Sequence, residues 1–236
     1  MEKLSNSIAD NIKRIRWEIS EAAIAAGRKP EEIRLMAVTK MQPAARVNEA
    51  IAAGIDLLGE NKAQELCQKY EEYHKDHVDI HFIGHLQTNK VKQVVGKVSM
   101  VESVDSFKLA QEISKFSQKL GVTTDVLVQI NIGEEESKSG IAPSQAEELI
   151  RQIATLPGIR VRGLMAIPPI WKSSSENEGY FARMQEILVD IRDKKIDNVN
   201  MEVLSMGMSE DFAVAIRHGS TLVRLGTAIF GSRSYT

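Results

Sequence analysis

Apolar positions recur at spacings of three and four early in the chain and at spacings of two soon after. That change marks where a helix gives way to strands. Ile8, Ile12, Ile15, Ile19 and Ala23 form one stripe, predicting a helix over 3–26 that Gly27 stops and Pro30 follows. From residue 33 short apolar runs alternate with amphipathic ones. The short runs predict strands at 33–39, 57–59, 80–83, 100–104, 126–132, 159–167, 199–204 and 221–225. Helices are predicted near 43–53, 62–73, 88–95, 107–120, 144–155, 176–193 and 209–217, with a last short element at 228–230. Gly54 and Gly121 close two of them. Eight strands, each followed by a helical segment, predict an α/β fold: a parallel (β/α)₈ TIM barrel with an extra N-terminal helix. The alternative is an open doubly wound sheet, but the glycine-rich phosphate fingerprint of such sheets is missing after the first strand. A chain of 236 residues leaves little beyond one barrel of ~250 residues, so a single domain spanning 1–236 is expected.

Composition narrows the class. Thirty basic against 32 acidic residues leave a net charge of -2, with no basic field to draw nucleic acid. No apolar run approaches the ~20 residues of a membrane helix. The N-terminus, Met1-Glu2-Lys3-Leu4-Ser5-Asn6, lacks a signal peptide's hydrophobic core. The lone cysteine, Cys67, sits beside Leu66 in a helical stretch, where packing is its expected role. A cytoplasmic protein is expected.

The candidate chemistry starts at Lys40, where the strand-like run from Ile33 ends and Met41-Gln42-Pro43 turns the chain. Period-2 alternation puts Met36, Val38 and Lys40 on one face. An amine aligned with two core residues meets a low dielectric that favours its neutral, nucleophilic form, able to join an aldehyde as a Schiff base. On this stretch alone, Lys40 reads more simply as the point where the strand reaches water. Barrels of this type often bind phosphate at the loops after strands seven and eight. Those loops are Ser205-Met206-Gly207-Met208-Ser209 and Gly226-Thr227, each pairing a glycine with a hydroxyl. Arg224 lies between Val223 and Leu225, on the face of Gly226. It needs either a carboxylate such as Glu60 or a ligand's ring nitrogen as partner. Amine, phosphate cup and arginine together suit an aldehyde, a phosphate and a pyridine on one ligand.

Several segments then carry a resemblance. They are Ala37-Val38-Thr39-Lys40, Leu58-Gly59-Glu60-Asn61 and the run from His81 to Lys90, together with Gln129-Ile130-Asn131, Ser137-Lys138-Ser139-Gly140 and Arg162 to Ile167. Most telling are Leu204 to Asp211 and Val223 to Gly231. From about residue 35 to 231 the chain resembles the pyridoxal phosphate homeostasis proteins, a family similar to the N-terminal barrel domain of alanine racemase. The resemblance implies pyridoxal 5'-phosphate on Lys40, its phosphate held by Ser205, Gly226 and Thr227, and Arg224 facing the pyridine nitrogen; Gly207, whose loop allows close backbone approach, is a further cofactor-binding candidate. It places Asn61 and Met165 beside the ring. Met41 stands where many members have threonine. The implied role is intracellular homeostasis of the cofactor, held reversibly and without catalytic turnover, with apo-enzymes as recipients and the protein a monomer.

The rival reading is a pyridoxal-phosphate-dependent amino-acid racemase; a third is a phosphate-ligand barrel with no Schiff base. Arginine keeps its proton at physiological pH and leaves the ring nitrogen unprotonated, which blunts the ring as an electron sink. Racemisation also needs a second base, which alanine racemase takes from another domain; only residues 232–236 follow the barrel, so none is expected here. No metal site is expected: His81 and His85, on one strand, would stand about 13 Å apart at ~3.3 Å per residue. His74 and His77 read as solvated. The acidic run before Lys138 reads as an exposed loop from which Lys138 could guide an entering cofactor.

Overall fold

The computed structural model describes residues 7–169 and 177–231. Its centre is a closed barrel of eight parallel strands in chain order. The chain runs α1 (Ile8–Ala25), β1 (Arg34–Val38), α2 (Ala44–Ala52), β2 (Leu57–Glu60), α3 (Ala63–Lys69) and β3 (Asp79–Phe82). It continues through α4 (Val91–Val94), β4 (Met100–Val104), α5 (Phe107–Leu120), β5 (Thr124–Ile130), α6 (Ala146–Ala154) and β6 (Ile159–Ala166). It ends with α7 (Glu178–Asp193), β7 (Val199–Ser205), α8 (Phe212–Arg217), β8 (Leu222–Leu225) and the single turn α9 (Thr227–Phe230). Every predicted strand is present. The predicted helix over 62–73 tightens to a 3₁₀ turn at Tyr70–Glu72, and that over 88–95 is a 3₁₀ turn followed by four α-helical residues. The first residues of the predicted N-terminal helix, and the start of the one at 176, lie outside the described residues.

Helix α1 starts where the Ser7 side chain accepts the amide of Asp10, satisfying one of the unpaired donors of the first turn. Its buried stripe is Ile8, Ile12, Ile15, Ile19 and Ala23, as the spacing predicts. Burying each isoleucine favours the fold by roughly 1.5–3 kcal/mol. The stripe packs on α2, α8 and α9 and so covers the seam where β8 meets β1. Asn11 of α1 donates to the carbonyl of Ile229 at 3.0 Å, and Arg28, just beyond the helix, to that of Ser220 at 2.7 Å, so the helix and the turn after it are tied to both ends of β8.

Along each strand one residue in two faces the helices and the next faces the barrel axis. Leu35 and Ala37 join the large core under the helices, whereas Met36 packs inside with Leu57 and Leu222. Met100, Leu127 and Met165 fill the rest of the apolar interior. At the N-terminal end the axis-facing residues are ionic: Arg34 pairs with Asp79 at 3.0 Å, and Arg162 bridges Asp125 at 2.8 Å and Glu202 at 2.6 Å. The C-terminal end is the mouth, where the loops are free to carry chemistry. Among the described residues no helix is long and apolar enough to cross a membrane.

Candidate functional site at the barrel mouth

Lys40 reaches the mouth from β1, half-buried, two residues beyond Val38 on the face that Met36 and Val38 share. The neighbouring strand brings Arg224 to the same face, because β1 and β8 pair Met36 with Arg224 and Ala37 with Leu225. Gly226 follows over Val38: a Cβ there would lie 3.5 Å from the Val38 carbonyl oxygen. The predicted amine, arginine and glycine therefore converge on one wall.

The turn that carries Lys40 is held from outside the barrel. Met41 sits at φ 62°, a conformation L-residues seldom adopt, and Gln42 N–H closes the turn on the Thr39 carbonyl at 3.1 Å. Glu65 accepts the Met41 amide at 2.6 Å, and Lys69 donates to the carbonyls of Thr39 and Gln42 at 3.1 and 3.2 Å. Beneath lies Glu60, fully buried, accepting from Thr39 Oγ1 at 2.6 Å and Tyr73 Oη at 2.5 Å, with Lys69 Nζ 3.1 Å away. Burial, and then the Glu60 charge, push the Tyr73 hydroxyl well above its ordinary range.

Glu60 is therefore no partner of Arg224. Leu57 faces the axis, and alternation turns Glu60 outward toward α3. Arg224 instead donates through Nη1 to Ser205 Oγ at 2.6 Å and through Nη2 to the Ala166 carbonyl at 2.8 Å. Burial lowers the guanidinium from its ordinary range, opposed by the negative charges of Glu102 and Asp211.

The Ser205 hydroxyl is already engaged below the mouth. Ser205 is the last residue of β7, fully buried, and its hydroxyl lies between Arg224 and Glu102, donating to Glu102 Oε2 at 2.5 Å. The hydroxyl that joins the two mouth loops is Ser209, whose Oγ accepts the Ala228 amide of α9 at 3.4 Å. Asp211 shapes that loop by accepting the Met208 amide at 2.6 Å and a hydrogen bond from Asn177 at 2.7 Å. Gly207, at φ 95°, has no room for a side chain: a Cβ would stand 2.7 Å from Ala215 Cβ. Its carbonyl accepts the Arg224 amide at 3.0 Å, tying the first loop to β8. Thr227 is exposed at the start of α9.

Asn61 continues β2 into the mouth, half-buried, so close to Gly84 that a Cβ there would fall 2.0 Å from the Asn61 carbonyl oxygen. Asn61 borders a cavity of about 290 Å³ with Ile83, Gln129 and Lys138. Met165 is fully buried in the inner layer, in register with Ser205. Lys138 sits on the mouth side, donating to the Pro168 carbonyl at 3.0 Å and pairing with Glu135 at 3.0 Å.

Other candidates separate from the site. His81 lies inside the barrel against Glu102, while His85 is exposed. No metal-binding cluster of His, Cys, Asp or Glu occurs among the described residues. Cys67 is exposed, because it falls on the outer side of α3 while Leu66 takes the inner side, so the expected packing role is not what the structure gives it. Glu102, and the pairing of His81 with it, are what sequence reasoning missed. Their signal was a polar side chain in step with Met100 and Ile83 on axis-facing positions.

Fold and mouth define a barrel of the alanine racemase type: residues 6–234 match the family described as alanine racemase, N-terminal domain. The pyridoxal phosphate homeostasis protein of Pseudomonas aeruginosa is 42% identical over 98% of this chain and 97% of its own length. That of Aquifex aeolicus is 39% identical over 96% and 98%. The chain belongs to the pyridoxal phosphate homeostasis protein family. PipY of Synechococcus elongatus, whose structure was determined with pyridoxal phosphate bound, superposes with a TM-score of 0.83 at 30% identity, covering 95% of this chain and all 100% of that one. An alanine racemase of Clostridium difficile shares the fold, with a TM-score of 0.72 at 17% identity over 95% of this chain and 57% of that one.

Proposed function

We propose that this protein binds pyridoxal 5'-phosphate reversibly at the barrel mouth and serves its intracellular homeostasis without catalytic turnover. The observation that carries the reading is the convergence of Lys40 and Arg224 on adjacent strands beside two hydroxyl-bearing loops. The donor set fits the cofactor: an amine for its aldehyde, a buried guanidinium for its pyridine nitrogen, and hydroxyls and amides for its phosphate. When bound, the cofactor supplies an aldehyde that condenses reversibly with amines. Lys40 would hold that aldehyde through its amine, and hydrolysis by water, or exchange with an incoming amine that returns the Lys40 amine, would free the cargo for a recipient apo-enzyme.

Ser209, Thr227 and the amides of Gly226 and Thr227 hold the phosphate, at the loops after β7 and β8 where such barrels place it. Gly207 lets the first loop close on β8. Arg224 donates to the ring nitrogen and keeps its own proton, which disfavours the strong electron withdrawal that racemisation and transamination use. Asn61 lines the mouth beside the ring, and Met165 supports it from the inner layer. Membership of a family whose relatives are called homeostasis proteins supports the carrier over the racemase.

The test is borohydride reduction of the loaded protein followed by peptide mapping. A pyridoxyl group on the peptide containing Thr39-Lys40-Met41, absent in Lys40→Ala, is expected; undiminished labelling of Lys40→Ala overturns the attachment site. Incubation with D- or L-alanine should release cofactor without catalytic exchange of the α-hydrogen, and rapid exchange lost in Lys40→Ala establishes the racemase instead.

A further inference from the structure

Beneath the mouth, where such barrels are packed with branched apolar side chains, this one carries a line of polar groups. Arg224 donates to Ser205 Oγ at 2.6 Å, Ser205 donates to Glu102 Oε2 at 2.5 Å, and Glu102 Oε1 lies 2.6 Å from His81 Nδ1. The line joins β8, β7, β4 and β3 across the axis, and Glu102 at its centre is wholly buried. A carboxylate in that position is costly unless both oxygens are paired, and here each has one partner. Burial alone would raise its carboxyl, but the His81 hydrogen bond and charge, then the Arg224 charge and the Ser205 hydrogen bond, hold it below the ordinary range. At its far end His81 borders a cavity of about 440 Å³ at the N-terminal end of the barrel, lined by Arg34, Asp79, Asp125, Arg162 and Glu202. A carboxylate needed only to fill the barrel would not have to lie one hydroxyl away from the arginine of the mouth.

We propose that Glu102 is a positioning residue for Arg224: through Ser205 its carboxylate balances the guanidinium charge and fixes its orientation, and so sets the electrostatics felt by the bound cofactor. The inference rests on the reading that Arg224 faces the cofactor ring. The groups facing Glu102 are His81, Ser205 and Arg224; Arg224 also feels Asp211, and Lys40 stands on the adjacent strand. Removing the Glu102 charge leaves Arg224 with Asp211 as its remaining negative neighbour, and a less balanced cation near Lys40 disfavours a proton on the nitrogen that joins it to the cofactor.

The readout is the pH midpoint of the visible absorption change of the loaded full-length protein, with thermal unfolding followed in parallel. Glu102→Gln should lower the midpoint by on the order of one pH unit. Arg224→Gln should raise it, and the double variant should return it toward wild type because both charges are then gone. A folded, loaded Glu102→Gln protein with an unchanged midpoint overturns the proposal and leaves Glu102 a structural residue. Should that variant not fold, Ser205→Ala takes over, since it cuts the link while leaving both charges in place. A displaced absorption band is expected there, and a band and midpoint identical to wild type overturn the proposal. If the wild-type chain takes up no cofactor at Lys40, the carrier reading falls and this inference with it; normal loading with unmoved midpoints removes this inference alone.

Discussion

The Lys69 ammonium donates to the carbonyl of Thr39 at 3.1 Å, so a helix residue outside the barrel holds the strand end that presents Lys40 inside it. The same ammonium lies 3.1 Å from the buried Glu60 carboxylate and 2.8 Å from Glu65, which in turn accepts the Met41 amide. One cation thus fixes both ends of the turn and neutralises the carboxylates that brace it.

Removing that cation should cost more than its hydrogen bonds. Lys69→Met leaves Glu60 as an uncompensated buried charge, for which about 3 kcal/mol of destabilisation is expected. In a chain of this size that corresponds to a fall in Tm of roughly 6–12 °C. The turn should loosen as well, so borohydride trapping of pyridoxal phosphate at Lys40 should become slower at temperatures where the variant is still folded. Thermal unfolding and a trapping time course check the two effects separately, and an unchanged Tm would show that Glu60 needs no help from Lys69.

The hydroxyls of the mouth make a contrasting pair of expectations. Ser209→Ala with Thr227→Val should weaken pyridoxal phosphate far more than unphosphorylated pyridoxal. Charge-assisted hydrogen bonds contribute about 1.5–3 kcal/mol each, or tenfold to a hundredfold in affinity. Ser205→Ala should instead weaken both ligands alike, because its hydroxyl serves Arg224 and Glu102 below the ring. Titration of each variant with the two aldehydes decides the matter. A phosphate-specific loss in Ser205→Ala would restore Ser205 to the cup.

The eight strands were legible because each apolar run is bounded by turn residues and followed by an amphipathic segment. Lys40 was legible for the same reason: it is the polar residue that ends an apolar alternation. Ser205 was ambiguous because a serine two residues before a glycine, at the end of the seventh strand, suits both a phosphate loop and the last inward position of the strand. Only the pairing of Ser205 with Met165 and Leu222 shows that it still belongs to the strand. Glu60 misled through proximity in sequence to Asn61, although alternation from Leu57 puts those two on opposite faces. Glu102 and His81 were out of reach as partners, since twenty residues and one strand pairing separate them and no local pattern brings two polar residues together across a barrel.

Tyr73 gives the Glu60 cluster a pH signature of definite sign. Its hydroxyl donates to Glu60 at 2.5 Å and is held protonated, first by burial and then by the Glu60 charge, beyond the range where a solvated tyrosine loses its proton. Above about pH 10 the unfolded chain sheds this proton while the folded chain keeps it, so the folded state binds more protons and stability falls as pH rises. Below that pH both states are protonated and the contribution is fully present. Tyr73→Phe removes the charge-assisted hydrogen bond, at a cost of about 1.5–3 kcal/mol near pH 8. It also removes the proton that couples folding to alkaline pH. The stability gap between wild type and Tyr73→Phe should therefore be constant up to about pH 10 and narrow above it. Urea unfolding of both proteins from pH 8 to 11 measures that gap, and a gap that stays constant through pH 11 would show that Tyr73 ionises as readily in the folded protein as in the unfolded chain.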